Sequence, residues 1–400
     1  METNKFHLDI KQLKEIAELL RERIVKGLNE AGTEIQCLPT YIQPKSEITG
    51  KAMVLDLGGT NYRVATVDFV DGKPEINPPN TWKMDLSMMK MPGFTRKDLF
   101  EVQADPIMTL NHDEEMPIGY CFSYPTESYP GGDAKLLRWT KGVDIKEMVG
   151  ELVGAPLLEY LNKENKVKFT DIKVINDTVA SLFAGLTCGK YDAYIGLIVG
   201  TGCNMATFIH TDHIGKINPF YGVSGLLPVN LENGNFNPPY LTDADDSVDA
   251  VSGNKGEQRF EKAVSGMYLG EILKAAFNLE ESEERFDAQK ITTMLSYPDI
   301  YKDEYVKTAG QIYRRSAQLV AASIAGLLSV LKSHNTSLKS VFITAEGSLF
   351  WSTNLKGSAY KDMVTEELEW LLSEMGMDGI KIDICKINKA NFIGSAIAAL

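Results

Sequence analysis

"LDLGGTNYRV", Leu55 to Val64, is the stretch on which the rest of the chain turns. An apolar run, Ala52 to Leu55, stops at Asp56, and after Gly58-Gly59-Thr60 an alternating run, Tyr62 to Val67, begins at once. Glycines leave backbone N–H groups open to close approach, and Thr60 and Asn61 add side-chain donors. A strand, turn and strand of this composition can cradle a phosphate. The same letters fit a hairpin turn in which Asp56 only caps backbone groups, because Gly and Asp are ordinary turn residues. On these ten residues alone the two readings stand level.

Composition narrows the field. A chain of 400 residues exceeds one ordinary core, so two domains, interleaved or in tandem, are expected. With 44% hydrophobic and 24% charged residues the chain is of globular type. A formal net charge of −13 argues against a nucleic-acid partner, which calls for a basic face, but not against a nucleotide, whose charge magnesium and backbone donors offset locally. The five cysteines, Cys37, Cys121, Cys188, Cys203 and Cys385, are scattered without a C-x-x-C pair, as in a reducing compartment. The amino terminus lacks the apolar stretch of a secretory leader, and no run approaches a membrane span. These features predict a cytoplasmic protein with no membrane partner.

Periodicity predicts an amphipathic helix over 7–30 and strands on both sides of the opening turn. A helix begins at "TRKDLFEV" and is expected to break at Pro106; "IGYCFSY" reads as a buried strand. Helical patterns near 145–161 and 178–187 bracket a strand at "FTDIKVI". "AYIGLIVGTGCNMATFIH" then repeats the opening grammar of strand, Gly/Thr turn and strand. Residues 213–256 read as loops around short strands, followed by long helices at 257–277 and 303–332. A strand at "SVFITA", a helix near 360–375, a strand at "IKIDIC" and a small-residue helix at "NFIGSAIAAL" close the chain. The mixture implies an α/β architecture. "DADDSVDAVSGN" lacks the glycine and terminal glutamate of a calcium loop, with Val248 and Asn254 in those places, and reads as a solvated acidic loop.

Several further pieces carry chemistry. "VINDTVASLFAGL" sets Asn176 and Asp177 where a strand passes into a helix; Asp177 can be a helix cap, or a carboxylate that takes a proton from a substrate hydroxyl. "CFSYP" and "LLRWTKG" put Ser123, Thr140 and Lys141 on loops, and "GTGCN" makes a second candidate phosphate turn from Gly200, Thr201 and Gly202 with Asn204 beside it. "VNLENGNF" and "GEQRFEKAVSGMYLGE" supply Asn230, Glu232, Gln258 and Glu261.

Together and in this order these motifs resemble the hexokinase family of the eukaryotic type, from about residue 52 to 332 and more weakly to the end. The resemblance implies a two-lobed actin-like ATPase (ribonuclease H-like) fold with a ligand cleft between lobes. Its small domain would comprise 52–176 plus 388–400, and its large domain 1–51 plus 177–387. It implies transfer of the γ-phosphoryl group of ATP to the 6-hydroxyl of a hexose: glucose, or mannose or fructose. Asp177 would be the general base, and Asp56 would help place Mg²⁺ through water. Gly58, Gly59, Thr60 and Asn61, with Gly200, Thr201 and Gly202, would hold phosphate oxygens. Gly347 and Ser348 would flank adenosine. Ser123, Thr140, Lys141, Asn176, Asn204, Glu232 and Glu261 would bind the sugar, whose hydroxyls are costly to bury unpaired. Arg63 is expected to brace the turn, and the expected assembly is a monomer or homodimer.

Two segments depart from the family pattern. The adenosine-side acid is Glu346, one carbon longer than the usual aspartate, in Ala345-Glu346-Gly347-Ser348. Near the end Ala390-Asn391-Phe392 stand where a G-S-G turn opens the last helix. Both put the details of nucleotide binding and of the hinge in question.

Overall fold

The computed structural model describes residues 5–59, 61–110, 115–164, 168–279, 286–354, 357 and 359–400. Among them, the strands form two large sheets and one small hairpin. The first sheet places, side by side, β4 (Lys73–Asp85), β3 (Asn61–Val70), β2 (Gly50–Leu57), β5 (Met116–Phe122) and β8 (Phe169–Ile175). β2, β3 and β4 form an antiparallel meander, and β5 and β8 add in parallel. The second sheet runs β1 (Leu38–Pro39), β11 (Leu226–Asn230), β10 (Cys203–His210), β9 (Ala193–Val199), β12 (Ser340–Glu346) and β13 (Lys381–Cys385). The repeated strand–turn–strand grammar is therefore one hairpin per sheet: β2–β3 in the first, β9–β10 in the second. The small hairpin pairs β6 (Thr126–Ser128) with β7 (Ala134–Leu136).

Two helices tie the sheets together. α4 (Asp177–Gly185) covers the second sheet and α11 (Ala390–Ala399) the first, and the two pack on each other. Their approach depends on Gly394, where a Cβ would overlap the Ala180 carbonyl oxygen. Val54 and Ala65 of one sheet, Ala206 of the other, and Val179 and Ile393 of the helices share one buried cluster.

Outside this junction, α1 (Ile10–Asn29) packs against α9 (Asp303–His334), which also carries α10 (Tyr360–Glu374). Asp9 and Gln12 start α1 with a reciprocal capping box, and Leu13, Ile16, Leu20 and Ile24 bury one face. α9 corrects one expectation, since it is long and apolar enough to cross a membrane. Most of that stretch is buried inside the fold, as in the core helix of a soluble protein.

Other expectations also need correction. α2 (Arg96–Thr109) does not break at Pro106; the buried Pro106 and Ile107 hold its last turn despite the missing N–H. The helix expected from residue 145 is a short 3-10 turn, Lys146–Met148, and α3 (Gly154–Glu164) starts only at Gly154. The acidic stretch at 243 is a helix, α5 (Asp243–Val251), not a solvated loop. Thr242 and Asp245 cap it reciprocally, and acids in its first turn favour the positive end of the helix dipole. Asp245 makes a two-bond pair with Arg315 (2.7 and 2.6 Å), and both are buried. The single helix expected over 257–277 is two, α6 (Arg259–Val264) and α7 (Leu269–Ala276). Between them the Gly266 N–H leaves the helical pattern to donate to the Gly200 carbonyl at 2.6 Å. α8 (Ala288–Ser296) was not anticipated at all.

Candidate active site

The first candidate phosphate turn grows directly from sheet register. Asp56 is the penultimate residue of β2, faces Arg63 across the β2–β3 ladder and Cys121 across β2–β5, and is 2% exposed. The Gly58 N–H closes the turn on the Asn61 carbonyl at 2.9 Å. Thr60 lies outside the described residues. Arg63 forms an ion pair with the Asp56 carboxylate, which is the bracing role expected of it. Burial pushes the Asp56 carboxyl up; Arg63 and the polar side chain of Asn391 pull against this, and the charge of Asp177 adds to it. Asp56 and Asp177 therefore feel one another across a shared space.

Asn176 is the N-cap of α4, accepting from the Val179 N–H at 2.8 Å, so the capping role belongs to it and not to Asp177. Asp177 opens the helix with Oδ1 accepting from the Thr178 N–H at 2.8 Å. Its Oδ2 has no hydrogen-bond partner among the described residues. One oxygen is thus anchored and the other is available to a proton donor.

The paired glutamates sit beside the second turn. Glu232 follows β11 with a left-handed backbone (φ +56°), a conformation that costs strain and concentrates at functional positions. Its Oε1 accepts from Asn230 Nδ2 at 2.6 Å and from Asn204 Nδ2 at 3.4 Å, and Asn204 also donates to Asn230 at 2.8 Å. Glu261, on α6, accepts from the Cys203 N–H at 2.9 Å. A side chain at Gly202 would put its Cβ 2.6 Å from Glu261 Oε2, so glycine is what lets turn and carboxylate meet. Burial raises both glutamates, and each acid has an acidic neighbour that raises it further: Asp177 for Glu232, Glu232 for Glu261.

The other side of the space is basic. Lys141, also left-handed (φ +59°), donates to the Ser123 carbonyl at 2.7 Å and lies over the Tyr124 ring at 5.1 Å. Its charge and that of Arg138 act on Glu261 and Glu232 respectively. Thr140 accepts the Val143 N–H through its carbonyl in the same loop. Residues from the first sheet's segment and from the second's thus converge electrostatically.

On the far side of the second turn, Phe350 N–H donates to the Val199 carbonyl (3.0 Å) and Gly347 (φ +111°) presses on the same carbonyl, where a Cβ would collide. Ser348 is exposed beside Gly200, as is Thr201. Buried Glu346 Oε1 and Ser265 Oγ have no hydrogen-bond partner among the described residues, and each adjoins a glycine in contact with this turn. Such orphaned polar atoms fit a nucleotide laid along Gly200 to Gly202. The fit for magnesium is through water: Asp56 is already engaged by Arg63, and no group of three His, Cys, Asp or Glu gathers among the described residues. Mg²⁺ commonly keeps its waters and binds through one carboxylate and substrate phosphates.

Sequence reading missed one contributor. Asn230 lay in a motif but was given no contact, although it links Asn204 to Glu232.

A two-lobed actin-like ATPase fold, with one phosphate-sized hairpin turn per sheet and a carboxylate-rich space between them, is the class this geometry defines. Two family models described as hexokinase match residues 2–187 and residues 194–309 and 278–400. The chain belongs to the hexokinase family. It is 32% identical over 316 residues to mouse "Hexokinase-3", covering 75% of this chain and 33% of that protein. It is 30% identical over 346 residues to rice "Hexokinase-2", covering 82% of this chain and 68% of the relative. The chain thus spans about a third of the length of the mouse relative. Among solved structures, a hexokinase from Schistosoma mansoni complexed with glucose aligns with TM-score 0.78 and 26% identity over 98% of this chain and 96% of that one. A ROK hexokinase from Thermus thermophilus (TM-score 0.56, 16% identity, 88% and 98% covered) shares the fold.

Proposed function

We propose that this chain transfers the γ-phosphoryl group of MgATP to the 6-hydroxyl of a hexose, with glucose as the expected substrate. The observation that carries the reading is Asp177: one oxygen is tied to the Thr178 N–H, the other is open, and the space it shares holds two glutamates and a phosphate turn. The Schistosoma protein's bound glucose supports the sugar class.

In this reading Asp177 takes the hydroxyl proton as the new P–O bond forms, a contribution on the order of 10²–10⁴ in rate. Glu232 and Glu261 accept from other sugar hydroxyls, Asn204 and Asn176 add amide groups, and Thr140, Lys141 and Ser123 meet the sugar from the opposite side. The turns at 58–61 and 200–202, closed by the Gly58 and Gly200 N–H groups themselves, hold phosphate oxygens with fixed donors that suit a transition state with charge spread over three oxygens. Asp56 would hold magnesium through water, and the ion would supply positive charge against the phosphates. Gly347 and Ser348 flank the nucleoside. The lobes are taken as 52–176 plus 388–400 and 1–51 plus 177–387, and the location as cytoplasmic.

The test is an ADP-coupled assay with and without glucose, on the wild type and on Asp177→Asn. Glucose-dependent ADP release, nearly abolished in the variant, is expected. Wild-type kcat in a folded Asp177→Asn protein would remove Asp177 as the base, and glucose-independent ATP hydrolysis alone would mark a different ATPase of this fold.

A further inference from the structure

We propose that Lys262 is a positioning residue for Glu261: its buried ammonium, tied to Asp249, Ser252 and the Asn254 carbonyl, sets the tilt of α6 and with it the aim of the Glu261 carboxylate. The proposal rests on the assignment of Glu261 to a sugar hydroxyl.

α6 is too short to hold its own direction. It has 6 residues, Arg259–Val264, and follows Gln258, which has a left-handed backbone (φ +50°) and makes no side-chain cap. A helix of that length draws its stability from what it packs against. One flank meets the second phosphate turn, where Glu261 accepts the Cys203 N–H at 2.9 Å. Lys262 is the next residue, about 100° further round the helix, and is 3% exposed.

An ammonium has three N–H donors and no acceptor, and a buried one short of partners is costly. Those of Lys262 reach Asp249 Oδ1 at 2.7 Å, Ser252 Oγ at 2.8 Å and the Asn254 carbonyl at 2.9 Å. Asp249 is itself shared. Arg259 pairs with its Oδ2 at 3.0 Å, and the Gly256 N–H reaches both oxygens at 3.0 Å. One carboxylate of α5 therefore gathers two residues of α6 and the loop before it. α5 is in turn fixed to the core by Asp245 and Arg315. The chain Arg315–Asp245–α5–Asp249–Lys262 thus carries the rigidity of α9 to the residue beside Glu261. The ammonium also acts through charge. Burial and then Glu232 raise the Glu261 carboxyl, and Lys262 pulls it down together with the Cys203 N–H and Lys141. A purely structural lysine, holding α5 to α6 and no more, would lower stability without selecting the sugar.

A double-mutant cycle separates the two roles. Wild type, Lys262→Met, Glu261→Gln and the double variant are titrated calorimetrically with glucose, and thermal unfolding and Mg–AMPPNP binding are measured on each. Methionine keeps an apolar stem and leaves Asp249 its bonds to Arg259 and Gly256. A charged acceptor displaced but not deleted predicts about tenfold weaker glucose binding in Lys262→Met. On the Glu261→Gln background the same change should cost less than about twofold, because the acceptor it aims is already gone. Mg–AMPPNP affinity should stay within about threefold throughout. Ser252→Ala, which removes one of the three bonds and keeps the charge, should weaken glucose binding about threefold, and it carries the cycle if Lys262→Met melts too low to titrate. Wild-type glucose affinity in the folded Lys262→Met protein overturns the proposal, or in Ser252→Ala where that variant carries the cycle. An equal loss on both backgrounds, the mark of general loosening, also overturns it. Unchanged glucose affinity in Glu261→Gln itself removes that glutamate from the sugar site, and this proposal with it. A cycle as expected in a protein that binds glucose but releases no ADP would fail the activity reading and not this one.

Discussion

Replacing Glu232 by Gln is the most informative single change at the sugar side. Glu232 Oε1 already accepts from Asn230 Nδ2 at 2.6 Å and more distantly from Asn204 Nδ2. A glutamine must turn its own carbonyl toward those amides, since two NH₂ groups cannot face each other, and its NH₂ then occupies the place of the second carboxylate oxygen. A sugar hydroxyl that donated to a charged acceptor finds a donor instead. Hydrogen bonds to charged groups contribute about 1.5–3 kcal/mol, so glucose affinity should fall roughly 10- to 150-fold. The shape is preserved and the buried charge disappears, so the fold should not suffer; with burial and Asp177 both opposing ionisation, the variant relieves a strain in the free protein. MgATP affinity should be nearly unchanged, because the phosphate turns do not touch Glu232 among the described hydrogen bonds. Calorimetric titration with glucose, then with Mg–AMPPNP, measures both. Unchanged glucose affinity in a folded Glu232→Gln protein would refute the placement of the sugar.

Three further outcomes are expected. Because basic Lys141 and Arg138 oppose acidic Glu261 and Glu232 across the space, saturating glucose should compact the molecule; equal radii of gyration by small-angle scattering with and without glucose would count against closure. Asp245→Asn breaks a buried pair and should cost about 3–5 kcal/mol of unfolding free energy by denaturant titration. Burial would raise the Asp245 carboxyl, but Arg315 and Thr242 hold it below its ordinary value, so its stabilisation is full above the unfolded pKa and is lost as pH falls through the folded one; wild-type acid unfolding should be steeper than the variant's. With phosphate turns intact and the two adenosine-side segments altered, kcat/KM at saturating glucose should favour ATP over GTP or ITP by only on the order of tenfold, and a preference of about a thousandfold would show a selective base pocket.

What was legible in the chain, and what was not, follows from the range of the forces involved. The two hairpins were readable because their requirement is local: a strand, a turn whose glycines admit close neighbours, and a strand. Asp177 was readable as a choice between cap and base, and in the structure Asn176 takes the cap. The failures share another cause. α5 looked like a solvated acidic loop because Arg315, which makes Asp245 a core residue, lies 70 positions away. The helix over 257–277 breaks because a carbonyl of the second phosphate turn claims the Gly266 N–H, which no periodicity could announce. Phe392 reads as a blemish in a glycine motif because its partner, Arg63, lies at the opposite end of the sequence. In each case a buried charge or backbone group had to be satisfied, and the chain met that demand from a distance. Departures from a local pattern near a charged turn are therefore better treated as candidate long-range partners of that charge than as losses.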